Sequence, residues 1–121
     1  MAALTPETVE KFMHTQVACW NAGDREGFFN AYRSIAPNGL HIEYVGAHSG
    51  DGMQILEGMW EQQRAAIDIE EVALIVIGDE AVAHNRNKVK GSDLVIETIE
   101  QYHFADNGTV SVRYFIKKPQ G

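Results

Sequence analysis

The second half of the chain limits the fold most. From Val72 to Lys117 it runs through β-rich segments separated by turn signals. The segments are Val72 to Ile77, Ala81 to Lys90, Leu94 to Ala105 and Val110 to Lys117. Gly78-Asp79-Glu80, Gly91-Ser92-Asp93 and Asp106-Asn107-Gly108 lie between them. β-Branched and aromatic residues suit a pleated, half-buried surface, and short Gly, Asn and Asp clusters reverse the chain. Asn107-Gly108 is the strongest of these signals, because both residues accept the positive φ of a tight hairpin. Strands joined by such short turns pair antiparallel. The expectation is a long, curved antiparallel sheet that must bury one face.

The first half supplies the cover. Thr5-Pro6-Glu7 is a helix start: a capping hydroxyl, a proline suited to the first turn, and an acid at the positive end of the helix dipole. Val9, Phe12, Met13, Val17 and Trp20 then recur on one helical face. Gly23 ends that helix and Asp24 can cap a second, with Phe28, Phe29 and Tyr32 on its apolar side. Pro37-Asn38-Gly39 is a turn, Leu40 to Val45 a strand, and His48 to Asp51 a polar loop. Asp51 can cap a third helix carrying Met53, Leu56, Met59 and Trp60. Helix, helix, strand, helix, then hairpins is an α+β order. Three amphipathic helices can cover one sheet face and leave a cone-shaped cavity beneath them.

Composition narrows the class. The chain has 121 residues, one domain's worth, read as a single domain over 1–121. Its 45% hydrophobic and 22% charged residues are those of a folded globular protein rather than a disordered one. The longest apolar run, Val72 to Ile77, is far too short to span a bilayer, and the N-terminus has no signal-peptide pattern. The lone Cys19 leaves no internal disulfide. A cytoplasmic protein without membrane association is expected. A net charge of −7 argues against nucleic acid as a partner.

The element order resembles the nuclear transport factor 2-like (NTF2-like, cystatin-like) α+β barrel, and within it the ketosteroid isomerase and SnoaL-like polyketide cyclase branch. The resemblance rests on Trp20-Asn21-Ala22-Gly23-Asp24, on Ile42-Glu43-Tyr44-Val45-Gly46 with Ser49-Gly50-Asp51-Gly52 and Met59-Trp60 behind it, and on Ile99-Glu100-Gln101-Tyr102-His103-Phe104. It covers nearly the whole chain. It implies a catalytic base at Glu43, an oxygen-binding carboxyl at Glu100, and Gln16 where the branch carries a tyrosine donor. It implies pocket walls from Trp20, Tyr32, Met59, Trp60 and Tyr102, with Asn85 and Asn87 facing inward. It also implies a hydrophobic small-molecule ligand, a homodimer through the sheet and no cofactor.

The residues allow that chemistry. Two carboxyl groups in one apolar cavity cannot both ionise easily, so one can act as base and the other as a protonated donor. Ketosteroid isomerase is the known example of this division of labour. Alternation places Ile96, Thr98, Glu100, Tyr102 and Phe104 on the more apolar face of their strand. For Glu43 the two lines of reasoning part. Alternation groups it with His41 and Val45, away from Leu40, Ile42 and Tyr44, and so points it at solvent. The resemblance points it into the pocket. The leading expectation is carboxylate-mediated proton transfer on a hydrophobic carbonyl compound, by an isomerase, cyclase or lyase. The rival is a ligand-binding or dimerisation module without chemistry. Epoxide or ester hydrolysis ranks last, for want of an arginine between two carboxylates. His41, Glu43 and His48 lack a recognisable metal-ligand pattern, so no metal is expected.

Overall fold

The computed structural model describes residues 4–117. Helices α1 (Pro6–Ala22) and α2 (Arg25–Ile35) come first, then β1 (Gly39–Tyr44), β2 (His48–Asp51) and α3 (Gly52–Gln63). Strands β3 (Ile67–Ile77), β4 (Glu80–Val89), β5 (Val95–Phe104) and β6 (Thr109–Ile116) complete the chain. The six strands form one sheet in the order β2-β1-β6-β5-β4-β3. This is the expected α+β layout of a curved sheet under three helices, with one qualification: β1 runs parallel to β6, and every other pair is antiparallel.

Local chemistry explains the helix ends. Thr5 accepts from Thr8 N, Asp24 from Gly27 N and Asp51 from Gln54 N, so each N-terminus has a side-chain cap. Gly23 closes α1 at φ 71°. The apolar face of α1 lies on the sheet, with the Phe12 ring 5.0 Å from Tyr32 and 6.1 Å from both Tyr102 and Phe104.

Three expectations are corrected. His48 to Asp51 is a strand, not a loop. It pairs with β1 because Gly46 (φ 85°) turns the chain tightly. β3 starts at Ile67 rather than Val72. Its first residues alternate Ile67 and Ile69 with Asp68 and Glu70, which pair with Arg86, Lys88 and Lys90, so charge hid the strand. In the Asp106-Asn107-Gly108 turn only Gly108 has positive φ (83°), and Gly108 N donates to Ala105 O. That combination is a turn closed by a glycine bulge, not a hairpin with two left-handed residues.

Two features shape the space above the sheet. A β-bulge between Glu71 and Ala73 shifts the register of β3. It keeps Ile69 on the helix-facing side yet sends Ile75 and Ile77 to the outer face. The C-terminal end of α1 is fastened to β3, an edge strand. Asn21 donates from Nδ2 to Ile69 O and accepts from Ile69 N, both at 2.8 Å. Trp20 Nε1 donates to Ile67 O at 2.9 Å. Arg64, just past α3, donates to Ile67 O and to Asn21 O.

Asn21→Ala removes both bonds to Ile69 and is expected to lower stability by about 1–2 kcal/mol, the net worth of two ordinary hydrogen bonds. Urea unfolding measures the loss, and the Ile69 amide should exchange faster with solvent. Unchanged exchange at Ile69 would mean that this fastening is dispensable.

Candidate ligand-binding site

The helices do not fill the concave side of the sheet. A cavity of about 250 Å³ remains between them. Its sheet side presents Asn85 and Asn87 from β4, Ile96, Thr98 and Glu100 from β5, and Tyr114 from β6. Its helix side presents Gln16 and Trp20 from α1, Phe28 and Tyr32 from α2, and Met59 and Gln63 from α3. Tyr44, at the end of β1, reaches the same space. Helical and strand periodicity bring these residues together, since each lies on the inward face of its element.

Glu100 is the centre of the polar part. It is 8% exposed and lies on the cavity wall. Three donors converge on it. Tyr102 Oη donates to Oε1 at 2.9 Å, Asn85 Nδ2 donates to Oε2 at 2.9 Å, and Thr98 Oγ1 donates to Oε2 at 3.3 Å. Burial raises its pKa from the ordinary carboxylate value, and the charge of Glu71 adds to the rise; the three donors pull the other way. Burial prevails, so the group holds its proton to higher pH than a surface glutamate.

A set of phenols surrounds it. Tyr32 Oη lies 3.3 Å from both Gln16 Oε1 and Tyr102 Oη. Tyr102 already gives its proton to Glu100, so Tyr32 has one proton for two acceptors. Burial, reinforced by the Glu100 charge, lifts Tyr32 and Tyr102 above the usual phenol value and pushes Tyr44 up to about 12. Tyr114 is raised well above its ordinary value by burial and then by Tyr32 and Glu100. All four therefore stay protonated and serve as donors near neutral pH. The Gln16 amide nitrogen makes no hydrogen bond among the described residues, which leaves it available at the cavity wall.

The expected residues divide. Gln16, Trp20, Tyr32, Met59, Asn85, Asn87 and Glu100 line the cavity. Tyr102 is fully buried behind it and acts through Glu100. Trp60 packs on Trp20 and Phe28, with centroids at 5.4 and 5.2 Å, as a second layer that does not line the space. Glu43 corrects the expectation drawn from resemblance. It sits on the opposite face of β1 from Leu40 and Ile42, 40% exposed, and pairs with Arg113 at 3.3 Å. The two carboxyl groups do not converge.

Tyr44 and Tyr114 are wall residues that the sequence did not single out. The parity of Tyr44 with Ile42 was the available signal, and the parallel pairing Tyr44↔Tyr114 places the second beside the first. Among the described residues, only Asp79, Glu80 and His103 gather possible metal-ligand atoms closely. Asp79 and Glu80 at the β3–β4 turn and His103 beside them on β5 are exposed and outside the cavity. No helix among the described residues is long and apolar enough to cross a membrane.

No protein-family model matches the chain, and no curated protein matches it in sequence. Solved structures do match in shape. A proposed ketosteroid isomerase from Kribbella flavida superposes with a TM-score of 0.73 at 12% identity, over 95% of this chain and 82% of that one. A proposed SnoaL-like polyketide cyclase from Jannaschia gives 0.70 at 16% identity, over 97% and 90%. An NTF2-like protein of unknown function from Cytophaga hutchinsonii gives 0.66 at 11%, over 96% and 93%. The fold of this chain is the NTF2-like, cystatin-like α+β fold.

The raised pKa of Glu100 has a consequence for stability. Below its ordinary value of 4.5 the group is protonated in folded and unfolded chains alike. Above that, the unfolded chain loses its proton first while the folded chain keeps it, so stability falls as pH rises toward the folded value. Glu100→Gln removes this component. Its stability relative to wild type should climb with pH, measured by urea unfolding at a series of pH values. Parallel curves for the two proteins would contradict the assignment.

Proposed function

We propose that this protein binds a small, largely apolar carbonyl compound in the cavity and that Glu100 exchanges a proton with it. One observation carries the reading. Glu100 is the only side chain on the described cavity wall that can act as an acid or base near neutral pH. A base needs a raised pKa to take a proton from a carbon acid and return it, and burial in a largely apolar wall provides that. Glu100 would remove the proton beside the carbonyl and give it back at another carbon, so one group serves both halves of an isomerisation. The Gln16 amide and the Tyr44 and Tyr114 phenols are wall donors that could take the developing oxyanion. No cofactor enters this scheme. The likeness to the Kribbella and Jannaschia proteins supports the shape of the site, not the reaction.

A second reading is a binding module that does no chemistry. It is favoured by the position of Glu43, which leaves the cavity without a second carboxylate. The two readings separate in one experiment. β-Naphthol reports binding through the fluorescence of the Trp20–Trp60 pair, and β-tetralone in heavy water reports proton abstraction by exchange of its α-hydrogens. Catalysis predicts accelerated exchange that Glu100→Gln lowers by roughly 100-fold or more, the scale of a lost general base. Glu43→Gln should leave the rate unchanged. Binding without exchange selects the second reading, and the absence of both sinks the two together.

We further propose that two copies pair through the outer face of the sheet. Ile75, Val82, Ile99 and Phe115 adjoin one another there by register. Ile75 is 60% and Ile99 47% exposed, a patch that single chains seldom leave to water. The ion pairs Glu43–Arg113 and His84–Glu97 lie on the same face. Ile99→Lys should convert a dimer to a monomer in sedimentation equilibrium. A wild-type protein that sediments as a monomer at high concentration would refute the pairing.

A further inference from the structure

We propose that the cavity also takes an organic amine of one or two rings, held as its ammonium ion with an N–H on Glu100. The inference rests on the cavity being a ligand site, not on any reaction within it. Its first support is an imbalance of charge. No Lys, Arg or His is among the described wall residues, and Glu100 makes no ion pair among the described residues. A buried carboxylate is tolerated when something positive sits against it. Here the described wall supplies hydrogen-bond donors and no cation, so an ionised Glu100 gains a counter-charge only from a ligand. Carboxylates and phosphates are disfavoured, because the described wall has no cation to offset a buried anion.

The hydrogen-bond count gives the docking point. A carboxylate accepts about four bonds, two on each oxygen. Asn85 and Thr98 occupy Oε2, while Tyr102 alone occupies Oε1. One acceptor position is therefore left on Oε1, and it suits a donor from the ligand. An ammonium N–H fills that position and supplies the missing charge together.

The walls fit the rest of such a molecule. Trp20, Phe28, Tyr32, Tyr44 and Tyr114 contribute aromatic rings to the lining. Ring π-clouds attract an organic cation and accept its apolar body, whereas a hydrated inorganic ion would lose its water there. The size is limited too. An apolar cavity of roughly 150 Å³ holds one benzene ring, so about 250 Å³ accommodates one or two rings. The overall charge of −7 favours the approach of a cation.

Proton balance makes the proposal measurable. Burial raises the pKa of Glu100. An ammonium ion binds the carboxylate and stabilises it, so docking lowers that pKa, sends into solvent whatever proton the free site holds, and leaves the ammonium intact. The titratable groups facing Glu100 are Tyr32 of α2, Tyr44 of β1, Tyr102 of its own strand, Tyr114 of β6 and Glu71 of β3, the last paired with His14 of α1 at 2.8 Å. Burial keeps the phenols protonated throughout, so the released proton comes from Glu100.

Benzylamine, benzyl alcohol and benzoate have one shape and three charges. Each would be titrated into the full-length protein by calorimetry in two buffers of different ionisation heat, with Trp20 fluorescence in parallel. The expected result is benzylamine bound roughly tenfold or more tighter than benzyl alcohol, with proton release that grows as the assay pH is lowered from neutral, and benzoate not bound. Glu100→Gln should abolish both the preference and the proton release while still taking benzyl alcohol, which also shows that the variant is folded. Should that variant fail to fold, the wild-type comparison and its buffer dependence still decide. Benzyl alcohol binding as well as benzylamine, or a preference for the amine that Glu100→Gln leaves intact, would overturn the proposal and leave a neutral carbonyl ligand standing. If none of the three probes binds and β-naphthol also fails, the cavity itself is not a ligand site.

Discussion

The contact on which the rest of the structure depends is the fastening of α1 to the free edge of β3. An edge strand offers unpaired backbone groups that must be covered or blunted. Asn21 covers one residue of that edge completely, since its amide both donates to and accepts from Ile69. Trp20 and Arg64 take the Ile67 carbonyl, and Arg64 returns to the Asn21 carbonyl, so the ends of α1 and α3 meet on the same stretch of strand. These bonds tie the outer edge of the sheet to the ends of two helices. Phe12, nearer the start of α1, packs against Tyr102 and Phe104 and fills the core at that end. At the fastened end Trp20 is held by its own indole N–H and cannot collapse inward. The cavity is the space left between these two regimes.

Within that space one contest sets the chemistry. Desolvation favours neutral Glu100, and three hydrogen bonds favour its anion. The donors are themselves held in place by other parts of the wall. Asn87 donates to Thr98 and to the Ile96 carbonyl, and Tyr32 bridges Tyr102 and Gln16. A change in Glu100 is therefore felt across α1, α2, β4 and β5. The buried Asn85 Oδ1, which has no partner among the described residues, lies in this same network. Such a network stays in register only if each member is supported, which is why a site of this kind is built on helices and strands rather than loops.

Much of this was legible in the residues. Caps at Thr5, Asp24 and Asp51, the stop at Gly23 and the inward face of β5 all follow from local chemistry that the tertiary structure does not contradict. The early part of β3 was not legible, because Asp68, Glu70 and Glu71 look like a charged surface until Arg86, Lys88 and Lys90 are seen across the strand pair. The bulge at Val72 was hidden for a related reason: alternation alone has no means of announcing an extra residue. Resemblance placed Trp60 on the wall, and the helical face it shares with Met59 does not distinguish the first layer around a cavity from the second.

Glu43 and Glu100 show where the reading of single positions reaches its limit. Both occupy strand positions that resemblance assigns to a site, yet they end on opposite faces of the sheet. The reason is parity. Ile42 is fully buried and Leu40 nearly so, and these two fix which face of β1 turns inward. Moving Glu43 into the cavity would require a one-residue slip of β1 against β6, and that slip would expose both apolar side chains while burying His41. Burying a leucine or an isoleucine is worth about 1.5–3 kcal/mol each, and a buried unpaired carboxylate adds a penalty of its own. Hydrophobic alternation therefore decides the orientation of β1, and the chemistry of the cavity has to be built from the carboxyl group that alternation admits.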